Sequence, residues 1–153
     1  MIDWVHPSIL FILGACVIPF LRGKLQQIWL LTIPVLAVLS VYSMTQGSFW
    51  GVNFLDNQLL FGKVDKLSTV FAWVFSIMSC IGMVYALYVK DSGQHVSAYL
   101  YIAGSLGVTF AGDFFSLFIF WELMAFASAY LIFAKREKAA TEAGYRYILV
   151  HIF

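Results

Sequence analysis

The stretch Gly112–Ala134, GDFFSLFIFWELMAFASAYLIFA, is long enough to cross a bilayer and apolar almost throughout, yet it holds an acid, Glu122, near its middle. A spanning helix needs roughly 20 apolar residues, and at about 1.5 Å rise per residue Glu122 lies roughly 13 Å beyond Asp113, near the membrane midplane. A charged side chain at that depth costs about 3 kcal/mol on insertion scales and more by other measures. Ionisable residues placed there mark ion pathways and proton relays. The alternative is a carboxyl that only pins one helix to its neighbour.

The surrounding chain of 153 residues is 62% hydrophobic, 18% aromatic and 11% charged, with mean hydropathy +0.88. A soluble domain carries about 25% charged residues, and a chain of this length cannot hide so much apolar surface in one core. These values imply an integral membrane protein. The formal net charge of +1 gives no reason to expect a nucleic-acid partner. The N-terminal MIDWVHPSIL has Asp3 and no basic residue before the apolar run, so it reads as a retained helix rather than a cleaved secretory signal. Cys16 and Cys80 lie in apolar runs without metal-ligand spacing and read as small core residues.

Apolar runs predict an all-α, polytopic transmembrane bundle of about five full spans and the start of a sixth, all in one unit covering 1–153. The expected spans are 5–21, 28–44, 67–89, 97–111, 113–134 and an incomplete 144–153. Pro34 falls inside the second, which membrane helices tolerate when a neighbour satisfies the freed carbonyl. The apolar stretch from Ser97 to Ala134 is too long for one span, and AGD at Ala111–Asp113 is its plausible break, with Gly ending one helix and Asp capping the next. The sixth span stops at Phe153 after about half the hydrocarbon thickness, which suits a fragment of a longer protein or an end packed within a larger assembly. Between the second and third spans, VNFLDNQLLFGKVD has two short apolar runs around Asp56-Asn57. That pattern fits a β-hairpin at the membrane surface, or else an irregular loop. Phe49, Trp50, Phe54 and Phe61 would suit an interfacial aromatic belt.

With the N-terminus outside, seven of the nine basic residues fall on the cytoplasmic side: Arg22, Lys24, Lys90, Lys135, Arg136, Lys138 and Arg146. Lys63 and Lys66 remain opposite. The positive-inside rule therefore predicts an outside N-terminus; the expected location is the inner membrane of a bacterial or archaeal cell.

His151, about 10 Å deep if its helix starts near Gly144, is the second proton-transfer candidate. A membrane histidine titrates in the useful range, although a packing role is the alternative. Asp113 could face an aqueous pathway entry or simply cap its helix. His6 and His95 are assigned to interfacial or solvated positions. Ser76, Ser79, Ser105, Thr109 and Ser116 could line a wet path or bond back to their own helices. The sequence has no Gly-rich phosphate loop, CxxC, HExxH or GxSxG, and no histidine pair spaced for haem or copper. No catalytic residue, cofactor or metal is therefore expected.

DFFSLFIFWELMAFASAYLIFAKRE, with its acid, aromatic run, WELM and small residues, resembles the fifth transmembrane helix of the antiporter-like membrane subunits. These are the proton-conducting subunits of respiratory complex I, of membrane-bound hydrogenases and of Mrp-type Na+/H+ antiporters. EAGYRYILVHIF resembles the start of the family's sixth helix. The specific signal spans Asp113–Phe153; upstream only the pattern of helices and hairpin matches, and the sequence looks closest to the Mrp D-type or hydrogenase-type branch. The resemblance implies that Glu122 is the family's essential glutamate, paired with a lysine on a seventh helix, and that His151 matches a sixth-helix histidine. That seventh helix, the broken helices and the second inverted repeat are missing from this sequence. The implied function is a membrane subunit carrying part of a proton or Na+/H+ antiport pathway, with other membrane subunits, the lipid bilayer and protons or sodium ions as partners. Any redox step, in an NADH:quinone-type oxidoreductase or a hydrogenase, would belong to partner subunits. The rival reading is a membrane scaffold, and a lipid-modifying enzyme lacks a recognisable nucleophile or metal cluster.

Overall fold

The structure, a computed structural model, describes residues 4–54 and 57–152, with Phe54, Asn57, Gln58 and Ile152 described in their backbone alone. Six helices and one hairpin follow in order: α1 (Pro7–Val17, continued by a 3-10 turn Ile18–Phe20), α2 (Lys24–Ser43), β1 (Gly47–Phe54), β2 (Asn57–Val64), α3 (Lys66–Ala86), α4 (Ser92–Phe110), α5 (Phe114–Phe133) and α6 (Lys138–Ile152). The protein is a helical membrane protein with a small two-stranded sheet. The strands are antiparallel, with Gly51 opposite Leu60 and Val52 opposite Leu59. Asp56 of the expected turn lies outside the described residues, as does Phe153.

Three helices, α2, α3 and α5, are by themselves long and apolar enough to cross a membrane, fewer than the five full spans expected from hydropathy. The physical reasons differ between the others. The α1 helix has only 11 residues before it tightens into the 3-10 turn, where Pro19 cannot extend an α-helical ladder. The α4 helix sits inside the bundle, packed by α1, α3, α5 and β2, and buries His95, Ser97, Tyr99, Ala103, Gly104, Leu106, Gly107 and Phe110. A helix shielded by protein need not be apolar all round. It also starts five residues earlier than hydropathy suggested, because Asp91 accepts a hydrogen bond from the Gly93 N–H and opens the helix at the polar SGQH. Likewise α6 begins at Lys138, so all but the first three residues of the polar KREKAATEAG segment are helical.

Local chemistry accounts for the other ends. Gly23, at φ 62°, takes the left-handed conformation from which α2 starts. Asp65 and Ser68 close a reciprocal capping box on α3. Pro34 deprives the Leu30 carbonyl of its helical donor, and the buried Tyr99 hydroxyl supplies a replacement at 3.1 Å from α4. The core is built where α1, α2 and α4 meet, around Phe11, Ile18, Leu30, Tyr99, Leu106 and Phe110. The exposed apolar side chains of α2, α3 and α5, such as Leu39, Ile81 and Phe118, face outward, as a lipid-facing surface requires.

Candidate functional site at the α5–α6 contact

The chain break at Ala111–Asp113 sets the height of everything on α5. Asp113 caps the helix by accepting from the Ser116 N–H at 2.9 Å and also accepts from the Ser116 hydroxyl at 2.9 Å. Its second oxygen accepts from the Leu60 N–H at 2.6 Å. The Leu60 carbonyl in turn accepts from the Gly112 N–H at 2.8 Å and the Ser116 hydroxyl at 3.1 Å. A Cβ at Gly112 would stand 2.5 Å from the Leu60 side chain, so only glycine lets β2 come this close. Capping and attachment of the hairpin therefore account for every polar contact of Asp113.

His6 reinforces the same junction. It is buried, against the expectation of an interfacial or solvated position, because β2 folds over the start of α1. Its Nδ1 accepts the Ser8 N–H, which caps α1, and its Nε2 donates to the Phe61 carbonyl at 3.0 Å. Trp4, Phe110 and Phe120 surround the ring. His95 is also buried, with Nε2 3.0 Å from the Val89 carbonyl at the start of α4. A histidine whose ring nitrogens are used by backbone needs no solvent. Its partners are distant in sequence for His6 (55 residues to Phe61), which hydropathy does not see.

Glu122 is the ninth residue of α5, close to the helix centre. Its Oε1 is 3.6 Å from Nε2 of His151 on α6, with the side chains 30% and 18% exposed. That separation is within ion-pair range and beyond a hydrogen bond, and the buried Nε2 has no hydrogen-bond partner among the described residues. The fit follows from antiparallel geometry: Glu122 lies 11 residues before the end of α5 and His151 lies 13 residues after the start of α6, so about 1.5 Å per residue brings them to similar heights. The imidazole lies between two aromatic rings of similar plane, Trp121 at 6.1 Å and 10° and Tyr147 at 6.1 Å and 15°. Tyr147 is held by a 2.7 Å hydrogen bond to Ser128. Reading the sequence missed Trp121, Tyr147 and Ser128, although Tyr147 at four residues before His151 shares its helix face.

Of the other hydroxyls, Ser76 is buried without a hydrogen-bond partner among the described residues, Ser105 also donates to Met124 on α5, and three bond back to their own helices. Ser79 donates to the Ser76 carbonyl, Ser105 to Tyr101 and Thr109 to Ser105. Ser79, Ser105 and Thr109 border an apolar cavity of about 480 Å³ between α3, α4 and α5. Among the described residues no three potential ligands cluster to hold a metal ion. The groups brought together are therefore one carboxylate and one imidazole, which can share or exchange a proton.

A bundle of apolar helices, three of them among the described residues long enough to span a bilayer, defines a class: helical membrane proteins. No family model matches the chain. It is 29% identical to the Na(+)/H(+) antiporter subunit A1 of Staphylococcus haemolyticus, over 89% of this chain and 19% of the relative. In fold it is similar to a chain of the membrane-bound sulfane sulfur reductase, an archaeal respiratory membrane complex, with a TM-score of 0.80, 21% identity, and coverage of 94% of this chain and 32% of that one. The chain thus spans about a fifth of the curated relative and a third of the solved chain. The sequence match supports a likeness to antiporter-like membrane subunits, and the structural match shows the shared fold.

Proposed function

We propose that this chain forms part of a membrane subunit of an ion-translocating complex, and that Glu122 and His151 are neighbouring stations on its proton or Na+/H+ antiport pathway. The observation that carries the reading is the 3.6 Å approach of Nε2 of His151 to Oε1 of Glu122, halfway along α5. A carboxyl and an imidazole that face each other across a helix contact are the two side-chain types through which a proton passes, which is the property a relay needs. The family lysine implied on a seventh helix would act on the same pair. Asp113 stands at the outer end of α5 as a candidate pathway entry.

In this reading α1 and α4 cross the membrane beside α2, α3 and α5, and α6 begins a sixth span. The hairpin lies on the outer surface, and the N-terminus is outside the inner membrane of a bacterial or archaeal cell. The basic segment Lys135–Arg146 then faces the cytoplasm; cysteine labelling at position 138 from outside intact cells should fail. Other membrane subunits and lipid are its partners.

The decisive test replaces Glu122 in the full-length protein. Glu122→Gln should leave the complex assembled on native gels but remove most ion translocation in vesicles, whereas Glu122→Asp should retain part of it. An assembled Gln variant that pumps normally would make Glu122 a helix-pinning residue in a membrane scaffold.

A further inference from the structure

A second groove borders α5 on the side that meets α4, at the end of the bundle where the basic residues gather. It measures about 490 Å³, and Pro19, Val96, Leu100, Leu123, Phe126 and Tyr130 are among its walls. The walls are apolar along the groove. Its mouth is not. Gln26 of α2 donates to the Ser92 hydroxyl of α4 at 2.9 Å, which draws the first turn of α2 to the N-terminus of α4. Arg22 and Lys24 lie within one helical turn of Gln26, and Lys90 is two residues from Ser92; all three are exposed. Tyr130 brings the last turn of α5 to the same place: a Cβ at Gly93 would stand 2.1 Å from its hydroxyl, so glycine is what admits the ring. Beyond Tyr130 follow the exposed Lys135 and Arg136. Of the nearby acids, Asp91 is engaged with the Gly93 N–H at 3.0 Å, and Glu137 pairs with Lys135 at 3.0 Å.

An apolar slot at the end of the bundle that also carries Arg22, Lys24, Lys90 and Arg136, none of them paired with an acid among the described residues, matches one kind of molecule: an acyl chain that ends in a negative charge. We propose that this groove binds an anionic phospholipid, with one acyl chain along Leu100, Leu123 and Phe126 and its phosphate among Arg22, Lys24 and Lys90. Basic residues at the end of membrane helices attract anionic headgroups, with contributions that accumulate over several side chains. The Tyr130 ring, apolar in body with its hydroxyl at the mouth, suits the headgroup level. The site is separate from Glu122 and stands or falls independently of the proton-pathway reading.

The test uses the full-length protein reconstituted in vesicles of equal parts phosphatidylglycerol and phosphatidylcholine, then extracted and weighed by native mass spectrometry. The wild type should retain phosphatidylglycerol in preference to phosphatidylcholine. The R22Q/K24Q/K90Q variant, altered only at exposed positions, should lose about tenfold of that retention, in line with the electrostatic contribution of several basic residues. Phe126→Ser, at a position 68% exposed, leaves the charges in place and should weaken retention of both lipids. Equal retention of the two lipids by the wild type would overturn the proposal. So would retention unaffected by both variants, as expected if a protein helix fills the groove.

Discussion

Pro34 and Tyr99 allow a sharp test of how the bundle is held together. Proline at 34 leaves the Leu30 carbonyl without its helical N–H, and the Tyr99 hydroxyl, fully buried, donates to it at 3.1 Å and lies 3.3 Å from the Trp29 carbonyl. Tyr99→Phe keeps the ring, its packing against Phe11 and nearly all of its volume, so it opens no large cavity. It removes the donor and orphans a carbonyl in a water-free interior, a change worth about 1–3 kcal/mol. Pro34→Ala restores the missing N–H and should make the hydroxyl largely dispensable. A four-member cycle measures the coupling: wild type, Tyr99→Phe, Pro34→Ala and the double variant, each followed by unfolding of the purified full-length protein in detergent. The expected interaction energy is about 1 kcal/mol or more, within the range for residues that share a partner. If Tyr99→Phe costs the same in the Pro34→Ala background as in the wild type, the hydroxyl is not compensating for the proline.

Asp113→Ala removes a helix cap and the acceptor of the Leu60 N–H, together about 2–4 kcal/mol of local stability; hydrogen exchange at Leu60 and Ser116 should accelerate together, whereas Asp113→Asn keeps the cap and should lower ion translocation only if the carboxylate serves as a pathway entry. The Ser68 N–H, ahead of the other hydrogen bonds and Lys63, holds the exposed Asp65 carboxyl below its ordinary value. A depressed folded value means that its stabilisation is complete above the unfolded value of about 4 and is lost as pH falls through the folded one; protection of the first α3 amides should drop in that acid window, and Asp65→Asn should flatten the response. Gly104 would place a Cβ 2.9 Å from the Phe120 carbonyl, so Gly104→Leu should force α4 from α5 and destabilise by about 1–3 kcal/mol or more, seen as a lower melting temperature. Gly82 has open space around it, and Gly82→Ala should be neutral or slightly stabilising.

What could be read from the sequence depended on whether the deciding interaction was local. The division of the apolar stretch at Ala111–Asp113 was legible because an Asp cap acts on an amide three residues away, and Asp113 does accept from Ser116. The hairpin, expected as one of two alternatives, was legible for the same reason, since two short apolar runs around a turn-prone pair carry a local pairing signal. The N-termini of α4 and α6 were misplaced because polar SGQH and KREKAATEAG look like loops to a hydropathy scale, while helix formation there follows capping and packing rather than apolarity. Burial of His6, and the second role of Asp113 toward Leu60, were invisible because their causes are contacts across the fold.

Glu122 shows the limit of that rule. Its depth was set by counting residues from a cap, a local fact, so the sequence could place it near midspan. Its approach to His151 depends on where α6 starts, which the sequence put six residues too late. With α6 helical from Lys138, the 13 residues from its start to His151 match the 11 from Glu122 to the end of α5. Two antiparallel helices joined by a short connection must bring residues equally far from the turn to equal depth. The meeting of this carboxylate with this imidazole is therefore a consequence of spacing in the chain, and a one-residue insertion between Phe133 and Lys138 should disturb it less than one inserted within α6 before His151, which turns the imidazole by about 100°.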